Sequence, residues 1–207
     1  MTLTAIAINC TLKRSGGEDS STDKMIGLLV SELKKRDVEF RGTIRIADHE
    51  VKPGVTSDEG EGDEWPALRR RILEADILIF GTPIWLGQMS SLAKRVAERM
   101  DAFLSETDAR GRMPSFGRVA LVAVVGNEDG AHNVCAQLYQ ALSDTGWTLP
   151  ASAVAYWVGE AMGGVDFRDL PAIPDKVLES AAMAASNSAH LAGMLKARPY
   201  PGVEGDR

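Results

Sequence analysis

Ala75-Asp76-Ile77-Leu78-Ile79-Phe80 runs straight into Gly81-Thr82-Pro83-Ile84-Trp85-Leu86-Gly87-Gln88-Met89-Ser90-Ser91, and the reading of this stretch decides the fold. A short, nearly unbroken apolar run bounded by turn residues suits a strand buried on both faces of a parallel sheet. Behind it, Leu92-Ala93-Lys94-Arg95-Val96-Ala97-Glu98-Arg99-Met100 has apolar residues at helical spacing, with a serine placed to cap. The residues between strand and helix read as a loop holding glycines, a proline and a tryptophan. Loops at the carboxyl ends of parallel strands are where open α/β sheets bind ligands. Trp85 either stacks on a planar ligand there or plugs the end of the core, and composition does not choose between the two.

Working outward, 207 residues with 44% hydrophobic and 25% charged content suit one globular domain with a core of its own. The expected domain covers residues 1–198, with 199–207 as a flexible tail. A formal charge of −6 argues against a nucleic-acid surface, which needs clustered Lys and Arg to neutralise phosphates. Lys34-Lys35-Arg36 and Arg69-Arg70-Arg71 sit among acidic neighbours on predicted helices and read as solvated faces. Cys10 and Cys135 are far apart, which excludes a disulfide scaffold and supplies no metal-ligand spacing. No stretch has the form of a signal peptide or the length of a membrane span. A cytoplasmic location, with no membrane or nucleic-acid partner, is the expectation.

The first strand reads Thr4-Ala5-Ile6-Ala7-Ile8-Asn9-Cys10 and opens into Thr11-Leu12-Lys13-Arg14-Ser15-Gly16-Gly17-Glu18-Asp19-Ser20-Ser21-Thr22. A helix starts near Asp23. Strand, hydroxyl-rich loop and helix N-terminus make an anion site, because free backbone N–H groups and the positive end of the helix dipole attract negative charge. Thr11, Ser20, Ser21 and Thr22 add hydroxyl donors and Lys13 adds a cation. The bland alternative is a polar loop that merely caps its helix. Neither Gly-x-x-x-x-Gly-Lys-Ser/Thr nor Gly-x-Gly-x-x-Gly occurs here, which disfavours a nucleoside-triphosphate loop and a dinucleotide fingerprint.

Val38–Ile46 is the second strand, alternating in its latter half and so placed near an edge. Residues 51–64 read as a mobile acidic surface loop, its Asp58–Asp63 cluster as solvation and not a metal site. Trp65-Pro66 then starts a helix, with proline where its missing N–H costs least. The fourth strand, Arg118–Val125, is the most apolar and must be central. It ends in Gly126-Asn127-Glu128-Asp129-Gly130-Ala131-His132, where two glycines suit a tight backbone that turns N–H groups toward a ligand edge. Glu128 and Asp129 read as turn and cap residues ahead of catalytic acids, and His132 as ordinary surface or a proton donor. A fifth strand covers Trp147–Tyr156, followed by the glycine-containing loop Trp157–Gly164 and a long alanine-rich helix from Asp175.

Five strands alternating with five helices imply an α/β fold: a doubly wound five-stranded parallel sheet, order 2-1-3-4-5, with helices on both faces. Its switch point lies between strands one and three. A ligand there touches the loops after strands one, three and four.

Those loops resemble a known family, the flavodoxin-like NAD(P)H-dependent FMN reductases and quinone reductases, over roughly residues 4–160. Asn9-Cys10-Thr11-Leu12-Lys13 with Ser20-Ser21-Thr22 is similar to the family's phosphate loop. Thr82–Ser90 is similar to the loop along the isoalloxazine ring, with Lys94 on the helix behind it. Gly126–His132 is similar to the loop on the pyrimidine side. Departures are the acidic insertion at 58–63, a longer first loop, and Trp85 where the family often has tyrosine. The resemblance implies FMN as cofactor and NADPH or NADH as reductant, with a quinone, free flavin or nitroaromatic as acceptor. It places the phosphate on Thr11, Lys13, Ser20, Ser21 and Thr22. The ring falls to Pro83, Ile84, Trp85, Leu86, Gly87, Gly126, Asn127, Glu128, Asp129 and Gly130. No catalytic side chain and no metal are implied. A homodimer or homotetramer is, with the 157–164 loop and the last helix as contacts. A flavodoxin-type electron carrier, and a flavodoxin-like domain that has lost the flavin, are the alternatives.

Overall fold

The computed structural model of the chain describes residues 2–161 and 163–203. The elements in order are β1 (Leu3–Asn9), α1 (Ser21–Lys34), β2 (Val38–Arg45), α2 (Trp65–Leu73), β3 (Ile77–Trp85), β4 (Gln88–Met89), α3 (Ser91–Met100), β5 (Val119–Gly126), α4 (Ala131–Asp144), β6 (Val154–Val158) and α5 (Asp175–Ala197). The sheet runs β2-β1-β3-β5-β6, every pair parallel, and β4 folds back antiparallel on the end of β3. The expected order of five parallel strands is the observed one.

Alternation along the strands sorts the core into two layers. Ile6, Ile8, Leu78, Phe80, Val122 and Val124 face α2, α3 and α4, where Trp65, Leu68, Ile72, Val96 and Leu138 meet them. Ala5, Ala7, Ile77, Ile79, Leu121 and Ala123 face α1 and α5, against Met25, Leu29, Leu33, Ala181 and Ala185. Burying one Val or Leu side chain stabilises by about 1.5–3 kcal/mol, so β5, buried from Val119 to Val125, is a principal source of stability. Small strand residues on the second face let α5 approach closely. Its alanines Ala181, Ala184 and Ala185 are therefore spent inside this chain, and only its other face, with Met183 and Met194, stays exposed.

Four sequence expectations are corrected here. The central strand does not stop at Phe80: it runs on through Pro83 to Trp85, which the sequence reading placed in a loop. The fifth strand is shifted, with Thr148 making one isolated bridge to Val119 before the chain re-enters the sheet at Val154. Pro150 lacks the donor a ladder needs; Trp157 and Val158 pair with Val125 and Gly126 and belong to the strand, not to the loop. Residues 51–64 are not merely solvated acidic surface. Arg99, wholly buried, donates to Lys52 O and Thr56 O at 3.0 Å and pairs with Asp63 at 2.7 Å. Arg95 also donates to Val51 O. Finally, residues 199–203 are held: Tyr200 packs edge-on against Phe116, its hydroxyl lies 3.0 Å from Thr148 Oγ1, and Val203 N donates to Arg110 O. Residues 204–207, and Met162 of the 157–164 loop, lie outside the described residues.

Candidate functional site

The carboxyl ends of β1, β3 and β5 converge on an open cleft with a volume of about 160 Å³, at the switch point where open α/β sheets bind ligands. Its first end is built by the β1–α1 loop. Buried Asn9 organises this loop, donating to Asp23 Oδ1 at 2.6 Å while its own Oδ1 accepts from Thr11 N at 2.9 Å. Ser20 caps α1 in a reciprocal capping box with Asp23, which satisfies one helix donor and leaves the Ser21 and Thr22 amides at the positive end of the dipole. Ser21 Oγ accepts from Arg168 N at 3.2 Å, so its own proton remains to donate. Thr11, Leu12, Lys13, Ser20, Ser21 and Thr22 line this end.

Basic groups here are balanced by acids. Glu18 Oε2 accepts from both Lys13 Nζ (3.2 Å) and Arg168 NH1 (3.0 Å). The Arg168 and Lys13 bonds hold the Glu18 carboxyl below its ordinary range. Arg45 pairs with Asp23.

The other end is apolar. Pro83, Ile84 and Trp85 from β3, Val125 and Gly126 from β5, and Trp157 and Phe167 line it, with Asn127 and Asp166 as the polar members. Trp85 is 54% exposed, so it is a wall of the cleft and not a plug of the core. Trp157 and Phe167 stack at a tilt, with ring centres 5.5 Å apart.

Ten of the fifteen site residues expected from sequence line the cleft: Thr11, Lys13, Ser20, Ser21, Thr22, Pro83, Ile84, Trp85, Gly126 and Asn127. Leu86, Gly87, Glu128, Asp129 and Gly130 do not. They fasten the β3–β4 hairpin to the loop after β5. Leu86 and Gly87 both have positive φ (53° and 71°), the two-residue turn that matches strand twist. Leu86 N donates to Glu128 Oε1 at 2.9 Å, and Asn133 donates to Gly87 O at 2.8 Å. A Cβ on Gly130 would lie 2.7 Å from Gly87 Cα, and Asp129 Oδ1 accepts from Gly130 N. His132 is exposed, edge-on to Tyr156 and away from the cleft wall. Lys94 is also remote, paired with Glu98.

Leu12, Val125, Trp157, Asp166 and Phe167 were missed by the sequence reading. Trp157 had a usable signal, an aromatic at a strand's carboxyl end. Asp166 and Phe167 had none, because only tertiary folding brings the β6–α5 segment over the first loop.

Neither thiol is poised as a nucleophile. Burial pushes the Cys10 thiol far up and that of Cys135 to about 11. Among the described residues no cluster of His, Cys, Asp or Glu could hold a metal ion, and no helix is long and apolar enough to cross a membrane.

A doubly wound sheet in this strand order, with an anion end and an apolar slot at its switch point, defines a flavodoxin-like ligand-binding protein. Residues 3–161 match the family described as NADPH-dependent FMN reductase, and the chain belongs to that family. This membership makes it an FMN-dependent oxidoreductase. The chain is 32% identical over 213 aligned residues to 8-demethyl-8-aminoriboflavin-5'-phosphate synthase of Streptomyces davaonensis, covering 97% of this chain and 81% of that protein. Its fold superposes on RosB with the bound intermediate 8-demethyl-8-formylriboflavin-5'-phosphate at a TM-score of 0.84 and 31% identity, covering 96% of this chain and 82% of the other. It is also 40% identical over 171 residues to a Mycobacterium bovis protein named divalent metal cation transporter MntH. That match takes in 81% of this chain but spans only a quarter of the relative's length.

Proposed function

We propose that the chain binds FMN in this cleft and transfers hydride from NADPH or NADH to a small acceptor such as a quinone, free flavin or nitroaromatic. The observation that carries the reading is the chemical division of the cleft. One end offers helix N-terminal amides, hydroxyls and Lys13, which suit a phosphate. The other is an apolar slot between Pro83–Trp85 and Val125–Asn127, which suits a planar ring. When bound, FMN supplies the hydride chemistry itself.

The chain's own residues bind, orient and exclude water. Ser21 and Thr22 hold the phosphate with backbone and hydroxyl donors, and Lys13 adds charge. The backbone of Pro83–Trp85 and of Gly126–Asn127 fixes the ring. Trp157 and Phe167 keep water from its inner side, while half-exposed Trp85 leaves an approach for nicotinamide and acceptor. Among the described residues no histidine lines the cleft, and no side chain is assigned an acid or base role. Exposed Val158, Val165, Met183 and Met194 support a homodimer or homotetramer through the 157–164 loop and the outer face of α5. The two buried free cysteines fit a reducing, cytoplasmic setting.

The likeness to the aminoriboflavin phosphate synthase favours a second reading, in which the flavin phosphate is itself the substrate. One experiment tests both. The FMN-reconstituted protein is mixed anaerobically with NADPH and then NADH while the flavin absorbance is followed; a parallel sample is incubated in air with an amino-acid nitrogen donor, and its recovered flavin is weighed by mass spectrometry. Bleaching with an unchanged flavin mass is the expected result. An unbleached flavin of unchanged mass means an electron carrier, a changed mass means the second reading, and no bound flavin overturns both.

A further inference from the structure

Residues 159–161 and 163–170 follow β6, and most of them lie beyond the residues matched to the family, which end at 161. They form a strap across the cleft, fixed at both ends. On one side Gly159 N donates to Gly126 O at 2.8 Å, and Asn127 Nδ2 donates to Gly163 O at 3.1 Å and Asp166 Oδ1 at 3.3 Å. On the other, Arg168 N donates to Ser21 Oγ and Arg168 NH1 to Asp19 O. Lys24 Nζ adds bonds to Arg168 O and Leu170 O. Asp166 lines the cleft and lies in the chain between the strap's two anchors. It bonds Asn127 at the slot end, and two residues later the chain is bonded to the anion end.

Asp166 is a partly exposed carboxylate lining a cleft whose first end is suited to a phosphate. A carboxylate opposes a second anion, and Arg168 Nε, 3.6 Å away, balances its charge only partly because it also serves Glu18 and Asp169. What a carboxylate does well is accept hydrogen bonds from hydroxyls. A ligand with a ring in the slot and a phosphate at the helix terminus presents its polyhydroxylated chain between the two. We propose that Asp166 is a specificity residue that recognises this polyol, accepting hydrogen bonds from its hydroxyl groups. The assignment rests on the FMN reading above and extends it to a residue outside the family match.

The test compares three ligands by fluorescence titration: FMN, riboflavin, which lacks the phosphate, and lumiflavin, which lacks phosphate and polyol. Losing a hydrogen bond to a charged acceptor weakens binding about tenfold. Asp166→Ala is expected to weaken riboflavin by about that factor and leave lumiflavin unchanged, with Asp166→Asn losing less because its amide oxygen still accepts. Unchanged lumiflavin binding also shows that the strap remains folded in the variant. Riboflavin binding that is unchanged or tighter overturns the assignment, as does an equal loss for riboflavin and lumiflavin, which would mark Asp166 as merely structural. Wild-type protein that takes up none of the three ligands overturns the FMN reading itself, a result distinct from either.

Discussion

The Asp63 carboxylate accepts a hydrogen bond from the Arg99 guanidinium at 2.7 Å, and neither side chain is exposed. Burial pushes the Asp63 carboxyl up. The bond from Arg99 and the backbone amides of Glu59, Trp65 and Lys52 outweigh it and hold the group well below the usual carboxylate range. A depressed folded-state value contributes stability that is present above the unfolded value near 3.8 and is lost as pH falls below it. The urea midpoint of the wild type should therefore drop as pH falls below about 4, with a smaller drop in Asp63→Asn. Removing one partner leaves the other buried and unpaired, so Arg99→Met should cost about 3–5 kcal/mol at pH 7.

Gly130 joins the hairpin tip to the loop after β5. Its φ is 125°, and an added Cβ would meet Gly87 Cα at 2.7 Å and Gly87 O at 2.8 Å. Gly130→Ala should destabilise by about 1–3 kcal/mol and, by displacing Trp85, weaken flavin binding. Thermal melting and flavin titration check both effects. Gly27 is the control. It lies on the exposed face of α1 with nothing within 4 Å of a built Cβ, so Gly27→Ala should stabilise by about 0.5–1 kcal/mol and leave flavin binding alone.

The sheet order was legible because local rules agree with the fold there. β5 is apolar throughout, and the serine expected to cap the helix behind the central strand does so at Ser90. Legibility failed where a distant partner decides. Nothing near Asp63 in sequence announces Arg99, so an acidic run reads as solvated surface. Thr82 and Pro83 belong to a strand because β5 pairs with them, a contact with a distant segment that a proline and neighbouring glycines disguise as loop. The close approach of Gly130 to Gly87 ties the hairpin tip to the loop after β5, a contact between segments far apart in sequence.

Glu18 is exposed and holds Lys13 and Arg168 at once. Replacing it with glutamine frees Lys13 and removes one of the three acids on Arg168, beside the Ser21 and Thr22 amides. Glu18→Gln should tighten FMN a few-fold at low ionic strength, with the gain fading as salt screens it, and should leave riboflavin unchanged. Equal tightening of both ligands would mean that the effect does not act through the phosphate.

Trp85 is positioned as a wall of the slot with much of its ring open to solvent. An aromatic pair contributes about 0.5–1.5 kcal/mol beyond area burial, so Trp85→Ala should weaken FMN and lumiflavin by a similar factor, while Trp85→Tyr retains most of the affinity. If lumiflavin binds the alanine variant as tightly as the wild type, the ring does not lie against this residue.

Leu86 is the odd residue of the turn. It is 91% exposed, so its side chain gains little from burial within this chain, yet its backbone sits at φ 53°. Two-residue turns of this kind favour Asn-Gly because asparagine tolerates the left-handed region. A leucine there costs about 1–2 kcal/mol. Leu86→Asn should therefore raise the melting temperature while keeping the Leu86 amide available to Glu128, and FMN affinity should hold. If the variant instead melts lower in a way that depends on protein concentration, the exposed leucine is buried against another copy of the chain, and its strain is offset in that interface.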